Sequence, residues 1–451
     1  MNNNWENKSE ELCLAGRRAA FLSLGCKVNS YETQAMQELF EQAGAEIVEF
    51  QEKADIYVIN TCTVTNIADR KSRQMLHRAK HLNPDAIVAA AGCYVQAAGE
   101  ALLSDASVDL IIGNNQKKEI VSIVKNYLED KAFQNSLADI GTEKEYEDLE
   151  IASVTEKVRA YIKIQDGCNQ FCSYCIIPYA RGRIRSRSEE SVISEVERLA
   201  AAGYQEIVLT GIHLSSYGLD QGEERLLPLI LRLCKIDGIK RIRLGSLEPR
   251  IITEEFVKTL AGEEKVCPHF HLSLQSGCDT VLKRMNRKYD TAQYLAGCEL
   301  LRRHFEHPAL TTDVIVGFPG ETQEEFEATK EFLQKAAFSQ MHIFKYSRRA
   351  GTAADRMPDQ VPEPVKAVRS DELLALDERM RAAYQEYFTG KPQTLLIEES
   401  VEIDGARYAV GHNERYVKMA VKTDENLENQ LVNVIVQKAK RKDMILCERK
   451  D

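Results

Sequence analysis

Short apolar runs alternate with helix-like segments over most of the chain, a pattern typical of parallel α/β layers. Three such runs open the chain, at Arg18–Leu24, Ile56–Asn60 and Ala86–Ala91. A second alternation begins near Ala160. Its six candidate strands are Tyr161–Gln165, Glu206–Thr210, Arg241–Gly245, His269–Gln275, Thr312–Val316 and Met341–Tyr346. Six strands of this βα type are too few for a full eight-stranded barrel.

The pattern changes after a long charged helix, which we predict over Glu363–Phe388. A break at Thr389–Pro392 follows, and beyond it short β-like runs flank the turn Asp404-Gly405. The candidate strands of this part are Thr394–Glu398, Arg407–Val410, Val417–Val421 and Leu431–Ala439. They predict a small closed β-barrel of the OB-like kind.

These changes divide the chain into five predicted segments. They are a disordered extension at 1–16, an N-terminal α/β domain at 17–128, an acidic linker at 129–153, a second α/β domain at 154–388 and the β-barrel at 389–451. The extension lacks the apolar stretch of a signal peptide, and no apolar run reaches the length of a membrane span. Irregularly spaced cysteines in such a chain predict a reducing cytoplasm. The formal charge of −10 argues only weakly against a nucleic-acid partner.

The densest cysteine motif directly follows the first strand of the second domain. Cys168, Cys172 and Cys175 form CxxxCxxC. Three thiolates at this spacing can hold three corners of a [4Fe–4S] cluster and leave one iron open for a substrate. Zinc is the alternative, but structural zinc takes four protein ligands, and no nearby Cys or His completes the set.

Three further cysteines each follow one of the N-terminal apolar runs. They are Cys26, Cys62 and Cys93, and the carboxyl ends of parallel strands meet at one edge of a sheet, where ligands bind. The sequence therefore predicts that these three thiols form a second ligand set. Ordinary buried cysteines are the alternative. We interpret the other six of the twelve cysteines as structural.

The CxxxCxxC spacing resembles the signature of radical S-adenosylmethionine (radical SAM) enzymes. Beyond it, the chain closely resembles one family, the methylthiotransferases, which are radical SAM enzymes with two iron–sulfur clusters. The matching motifs are Gly25–Asn29, Asn60–Val64, Gly92-Cys93, Ile176–Arg183, Leu209–Leu214, Gly245–Pro249, Leu274–Gly277, Asp313–Glu321 and Tyr346-Ser347.

The resemblance implies an α/β fold with a partial (β/α) barrel and a C-terminal RNA-binding barrel of the TRAM type. It also implies two [4Fe–4S] clusters and S-adenosylmethionine, with Tyr174, Gly317 and Glu321 beside the cofactor. A low-potential electron donor of the flavodoxin or ferredoxin type is implied as a partner, whereas the sulfur donor stays open.

Three groups of basic residues point to RNA phosphates as the contact of this acidic protein. Arg181, Arg183, Arg185 and Arg187 alternate, so in an extended segment all four would face one side. Arg70, Arg73, His77, Arg78 and His81 share one predicted helix face beside Cys62. Lys438, Lys440, Arg441 and Lys442 lie on the terminal barrel. Each group alone is most often a solvated surface.

The first motif separates branches of the family. Cys26-Lys27-Val28-Asn29-Ser30-Tyr31-Glu32 looks like the branch that acts on N6-threonylcarbamoyladenosine next to the anticodon of tRNA. The alternatives are the branches acting on isopentenyladenosine or on a ribosomal-protein aspartate. A noncatalytic RNA-binding protein with structural iron–sulfur or zinc sites is a different class of explanation. The unsatisfied fourth ligand position at both cysteine sets argues against it.

Overall fold

The computed structural model describes residues 13–131, 137–151, 158–441 and 444–450, without the side chains of residues 100, 101 and 439–441. Two α/β layers follow one another along the chain, and a closed β-barrel ends it. The predicted α/β class and the predicted barrel are both confirmed.

The N-terminal layer is a parallel sheet of five strands in the order β2-β1-β3-β4-β5. Its strands are β1 (Arg18–Ser23), β2 (Glu46–Val48), β3 (Ile56–Thr61), β4 (Ile87–Gly92) and β5 (Leu110–Ile112), and its helices are α1 (Lys27–Gln42), α2 (Asn66–Leu82), α3 (Cys93–Ala98) and α4 (Ile120–Glu129). Strands β3 and β4 are buried along their whole length, with an apolar cluster on each face of the sheet. Burial on both faces explains why these strands are continuous apolar runs.

The predicted disordered extension at 1–16 is wrong for its last residues. Leu14 is fully buried, and its N–H donates to the carbonyl of Ala43. The first twelve residues of the extension lie outside the described part of the chain. In the predicted linker, Ile140, Leu149 and Ile151 are buried, so this acidic segment packs against the protein.

The second layer forms the partial barrel from two four-stranded sheets, ordered β7-β6-β8-β9 and β10-β11-β12-β13. Its strands are β6 (Arg159–Asp166), β7 (Arg185–Ser186), β8 (Glu206–Gly211), β9 (Arg241–Leu244), β10 (Ser246–Leu247), β11 (His269–Leu272), β12 (Ala309–Val316) and β13 (Gln340–Lys345), and its helices are α5 (Ile177–Ala180), α6 (Glu189–Ala201), α7 (Leu226–Leu233), α8 (Glu254–Ala261), α9 (Asp279–Arg284), α10 (Thr291–His304), α11 (Gln323–Ala336) and α12 (Glu363–Glu386). All six predicted strands are present.

Alternate residues of the barrel strands face opposite environments. In β6, Ala160, Ile162 and Ile164 belong to the main apolar core, whereas Arg159 and Lys163 on the other face form ion pairs. Because side chains alternate along a strand, the opposite faces of β6 differ in this way. The inside of the partial barrel is therefore polar.

The C-terminal strands close into a barrel in the order β14-β15-β16-β18-β17. They are β14 (Pro392–Ile403), β15 (Ala406–His412), β16 (Lys418–Lys422), β17 (Leu431–Arg441) and β18 (Met444–Arg449). The loop after β15 reaches the partial barrel, where Arg243 donates to the carbonyl of Glu414. In the described part of the chain, no helix is both long enough and apolar enough to cross a membrane.

Candidate active site

The loop of the CxxxCxxC motif begins where β6 ends. Gly167 has φ +68°, and a Cβ there would lie 1.8 Å from the carbonyl oxygen of Arg183. Only glycine fits this close approach of two backbone segments. The N–H of Cys168 donates to the carbonyl of Gly182, and that of Cys175 donates to the carbonyl of Cys172. The loop is thus fixed at both ends by backbone contacts.

The three thiols of this loop influence one another electrostatically. Burial raises the pKa of Cys168 to about 11 and that of Cys175 to about 12, and the neighbouring Cys172 adds to both shifts. Arg287 acts in the opposite direction and donates to the Cys172 sulfur at 3.2 Å. A bound cation would favour the thiolates, which are the form that binds metals.

The spacing of the thiols fits a cluster better than a single zinc ion. Thiolates bound to one tetrahedral zinc lie about 3.8 Å apart, given a Zn–S distance of about 2.3 Å. Among the described residues, neither cysteine triplet has all its sulfurs within 4.8 Å of one another. Neither triplet, as the structure places it, has the compact spacing of thiolates on one zinc ion.

A cavity adjoins the three cysteines at the carboxyl ends of the barrel strands. Tyr174, His213, Ser246, Ser273 and Arg287 are among its lining residues. Tyr174 packs edge-on against Phe318, with ring centroids 6.5 Å apart, and therefore lies where the resemblance implies a cofactor contact.

Two other implied cofactor residues are engaged elsewhere. The Glu321 carboxylate accepts from the Gly317 N–H at 3.0 Å and from Arg369 of α12 at 2.6 Å. Neither Gly317 nor Glu321 is among the described residues that line the cavity. Glu321 stabilises the turn after β12, and its expected role beside the cofactor is not supported by its position.

The second cysteine triplet lies at one edge of the N-terminal sheet. Cys26 precedes α1, Cys62 follows β3, and Cys93 begins α3. Burial raises the pKa of Cys62 to about 11, and the charges of Cys93 and Cys26 raise it further. The three thiols lie close enough at this sheet edge for their charges to affect one another, and their role as one ligand set stays a prediction.

Two glycines allow these chain segments to approach closely. Gly25 has φ +99°, and a Cβ there would lie 2.8 Å from the Cys62 sulfur. Gly92 has φ +92°, and a Cβ there would lie 2.3 Å from the side-chain oxygen of Asn60. The backbone beside each thiol is therefore set by glycine.

Arg181 connects the two triplets. Its fully buried guanidinium donates to the Cys93 sulfur at 3.1 Å and to Glu32 of α1 at 2.8 and 3.0 Å. It also donates to Asp166 at 3.0 Å, one residue before the Gly167 turn. Lys117 and Lys163 complete this buried network by pairing with Glu32.

The predicted arginine row is wrong for three of its four members. Arg181, Arg185 and Arg187 are buried, and Arg187 pairs with Glu195 and Asp148. Arg183 alone is exposed, and it lies 4.6 Å above the ring of Phe171. The chain turns at Gly182, with φ +71°, so the segment is not one extended strand. Only Arg183 of this row can reach a phosphate in this structure.

The other basic groups lie at the surface. Arg70, Arg73 and Arg78 are exposed on α2, as are His77 and His81. Their helix begins beside the second triplet, where Ser72 donates to the carbonyl of Cys62. Lys438 is exposed on β17, whereas the side chains of Lys440, Arg441 and Lys442 lie outside the described set.

The sequence interpretation missed several polar residues inside the barrel. His271, Asp313 and His342 lie on three neighbouring strands, with their ligand atoms all within 4.8 Å of one another. Lys27 directly follows Cys26, and its ammonium lies 5.9 Å from the ring centroid of Tyr161 on β6. The position of Lys27 next to Cys26 is the feature of the sequence that could have pointed to this lysine as a site residue. Asp313 begins the motif Asp313–Glu321, whereas His271 and His342 carry no such signal until the strands are aligned.

Comparison with known proteins assigns both layers. Residues 162–333 match the model described as the radical SAM superfamily, and residues 18–113 match the model described as uncharacterized protein family UPF0004. Among solved structures, the radical S-adenosylmethionine methyltransferase TsrM from Kitasatospora setae has a TM-score of 0.57 at 15% identity, covering 75% of this chain and 77% of that one. This likeness concerns the fold.

Full-length relatives are more specific. The threonylcarbamoyladenosine tRNA methylthiotransferase MtaB of Bacillus subtilis is 42% identical, over 93% of this chain and 94% of that protein. MtaB of Aquifex aeolicus is 42% identical over 85% of this chain and 93% of the relative. A tRNA-2-methylthio-N(6)-dimethylallyladenosine synthase of Pelotomaculum thermopropionicum is 34% identical, over 94% and 96%. The chain therefore belongs to the radical SAM tRNA methylthiotransferase family, in its threonylcarbamoyladenosine branch.

Proposed function

We propose that this protein converts N6-threonylcarbamoyladenosine next to the anticodon of tRNA to its 2-methylthio derivative. The observation that carries the proposal is the pair of cysteine triplets joined through Arg181, in a chain of this family. A methylthio transfer needs one site that generates a radical and a second that holds the sulfur, close to the same base. Arg181 contacts Cys93 of one triplet and Asp166 at the base of the other triplet's loop, which supports such an arrangement.

Each triplet suits an iron–sulfur cluster with an open iron. When bound, the cluster on Cys168, Cys172 and Cys175 supplies the electron that cleaves S-adenosylmethionine to a 5′-deoxyadenosyl radical, and the cluster on Cys26, Cys62 and Cys93 supplies the sulfur site. Arg287 donates to the Cys172 sulfur and Arg181 donates to the Cys93 sulfur, so each triplet has one ligand held by a buried guanidinium. Tyr174 lines the cavity in which the adenosine part of the cofactor would bind.

The surface around the site suits an RNA partner. Exposed Arg70, Arg73 and Arg78 on α2 and exposed Arg183 near the CxxxCxxC loop offer guanidinium groups for phosphates. The C-terminal barrel, with exposed Lys438, would extend this contact as a TRAM-type module. We further propose a cytoplasmic enzyme that receives electrons from a flavodoxin- or ferredoxin-type donor.

Iron content and reaction products test the proposal together. Anaerobically reconstituted protein is expected to hold about eight irons if each triplet binds a cube. Replacing Cys168, Cys172 and Cys175 by Ala should abolish formation of 5′-deoxyadenosine. Replacing the other three should preserve it and abolish the methylthio product. The half-buried Cys278, replaced by Ala, is the matched control and should keep all the iron.

Nucleoside mass spectrometry of tRNA tests the substrate. Cells lacking this protein should lose the methylthio form of threonylcarbamoyladenosine and keep that of isopentenyladenosine. The reverse pattern would overturn the substrate while leaving the reaction class intact. Absence of 5′-deoxyadenosine from fully reconstituted protein would instead favour a noncatalytic RNA-binding protein.

A further inference from the structure

Three polar side chains converge on the inner face of the partial barrel. Asp313 of β12 is the register partner of His342 of β13, and His271 of β11 lies beside both. The His271 Nε2 is 3.4 Å from an Asp313 carboxylate oxygen, and its Nδ1 is 3.0 Å from the Thr311 hydroxyl. Burial lowers the pKa of His342, so this ring is neutral near pH 7 and serves as a hydrogen-bonding group.

A lysine without a carboxylate partner among the described residues faces this cluster. More than a third of Lys27 is exposed, and in the described part of the chain no carboxylate pairs with its ammonium. The charge of Lys27 nevertheless reaches the rings of His342 and His269, whose pKa values it lowers after the larger effect of burial. The Lys27 ammonium lies 5.9 Å from the ring centroid of Tyr161, which shares the inner face of β6 with Arg159 and Lys163. Lys27 therefore extends into the polar inside of the partial barrel, the chamber onto which the cluster also faces.

The other cations of the chamber lie in ion pairs. Arg159 and Arg243 share the buried carboxylate of Glu206, and Arg159 also pairs with Glu398. Lys163 pairs with both Glu32 and Asp166. Lys27 differs from them because, among the described residues, no carboxylate lies within ion-pair distance of its ammonium. An ammonium in this position favours a ligand group that carries a negative charge.

The position of this charge matches the chemistry of one nucleobase substituent. Carbon 2 and the N6-bearing carbon of adenine flank the same ring nitrogen, so a group on N6 starts close to the reacting carbon. Lys27 is next to Cys26, and His271 is two residues before Ser273, which lines the cavity beside the other triplet. A subsite between these points lies where the N6 group must extend.

We propose that Lys27, His271, Asp313 and His342 form the subsite for the N6-threonylcarbamoyl group. The Lys27 ammonium pairs with the threonyl carboxylate, while Asp313 and His342 hydrogen-bond to the hydroxyl and the urea N–H groups. This assignment rests on the proposed function. An isopentenyl group offers no partner to Lys27 or Asp313, so binding it would desolvate a charge without compensation, which disfavours that substrate.

A comparison of substrates tests the subsite without changing the protein. The substrates are three anticodon stem-loop RNAs, which carry threonylcarbamoyladenosine, its methyl ester or isopentenyladenosine at the same position. Reconstituted wild-type protein should convert the ester with kcat/KM lower by about tenfold to a hundredfold, the range for a lost charge-assisted hydrogen bond. Equal conversion of acid and ester would overturn the subsite. Conversion of the isopentenyl RNA alone would overturn the proposed function instead.

Variants of Lys27 test whether this side chain binds the threonyl carboxylate. Lys27→Met should lower kcat/KM for the threonylcarbamoyladenosine RNA by a similar factor and remove the discrimination against the methyl ester. Lys27→Arg should keep part of that discrimination, because it keeps the positive charge. Lys345→Met is the matched control, because Lys345 pairs with Glu363 of α12. Unchanged discrimination in Lys27→Met, with full iron content, would place the carboxylate elsewhere. Stoichiometric zinc or manganese that is lost on His342→Ala would make the cluster a metal site and would also overturn the assignment.

Discussion

Replacing Arg181 by methionine tests whether the buried network holds the two α/β layers together. The guanidinium donates to Glu32, Asp166, Asn29 and Cys93 at 2.7–3.1 Å, and it is fully buried. Methionine fills a similar volume but leaves both carboxylates without this cation. Removing one partner of a buried ion pair typically costs about 3–5 kcal/mol.

The structure favours the lower end of this range. Glu32 keeps Lys117 at 2.9 Å and Lys163 at 2.7 Å, and Asp166 keeps Lys163 at 2.6 Å. The remaining contacts compensate part of the loss, so we expect a destabilisation of about 3 kcal/mol at neutral pH. Arg183→Met is the matched control, because Arg183 is exposed two residues away and should cost less than about 1 kcal/mol.

The difference in the free energy of unfolding between wild type and Arg181→Met should depend on pH. Burial favours the protonated form of Glu32, but the charges of Arg181, Lys117 and Lys163 outweigh it and hold the pKa of this carboxyl well below its usual range. A depressed carboxyl pKa contributes stability above the pKa of the unfolded chain and loses it as the pH falls. The gap between wild type and Arg181→Met should therefore be largest at neutral pH and narrow below about pH 4.

The assay is urea denaturation of reconstituted protein under anaerobic conditions, followed by circular dichroism and by the absorbance of the clusters. Two signals are needed because a multidomain protein need not unfold in one step. Glu32→Gln combined with Arg181→Met completes a double-mutant cycle, in which we expect a coupling energy above about 1 kcal/mol. Equal stability of Arg181→Met and Arg183→Met would refute the reasoning.

Three further changes have definite expected outcomes. Gly25→Ala places a Cβ 2.8 Å from the Cys62 sulfur at φ +99°, so reconstituted protein should lose about four irons by analysis while keeping 5′-deoxyadenosine formation. Arg183→Ala should weaken tRNA binding and reduce the salt slope of log K by about one unit, and an unchanged slope would exclude a phosphate contact. Burial lowers the pKa of His213 to about 4. Between about pH 6.5 and pH 4 the His213 imidazole is protonated in the unfolded chain but not in the folded protein, so the free energy of unfolding should fall as the pH is lowered. His213→Gln should make the free energy of unfolding, measured by denaturation across that range, depend less on pH.

Local pattern was sufficient to predict the strands and the meeting of Cys26, Cys62 and Cys93. A parallel strand buried on both faces is a continuous apolar run, and its carboxyl end marks the sheet edge. These rules need no knowledge of distant partners. The positions of β3 and β4 and the convergence of the thiols follow from them.

The arginine row shows where local pattern is insufficient. Alternation predicts a shared face only if the chain stays extended, and the turn at Gly182 prevents this. The partner of Arg181 comes from far along the chain, at Glu32, whereas Arg187 pairs with Glu195 of the helix that follows it. Nothing within a short sequence window distinguishes an arginine that binds phosphate from one that meets a buried carboxylate. The chamber residues His271 and His342 were missed for the same reason.

The buried network makes formation of the two cysteine sites interdependent. Asp166 precedes the CxxxCxxC loop and Arg181 follows it, so both ends of the loop meet at one ion pair. Glu32 of the N-terminal layer joins that pair, and Arg181 also contacts Cys93. The N-terminal layer therefore cannot move away without breaking contacts at the base of the loop. A radical enzyme requires the reacting groups to be held at short range, and the buried charges around Arg181 fix the base of the CxxxCxxC loop against the N-terminal layer.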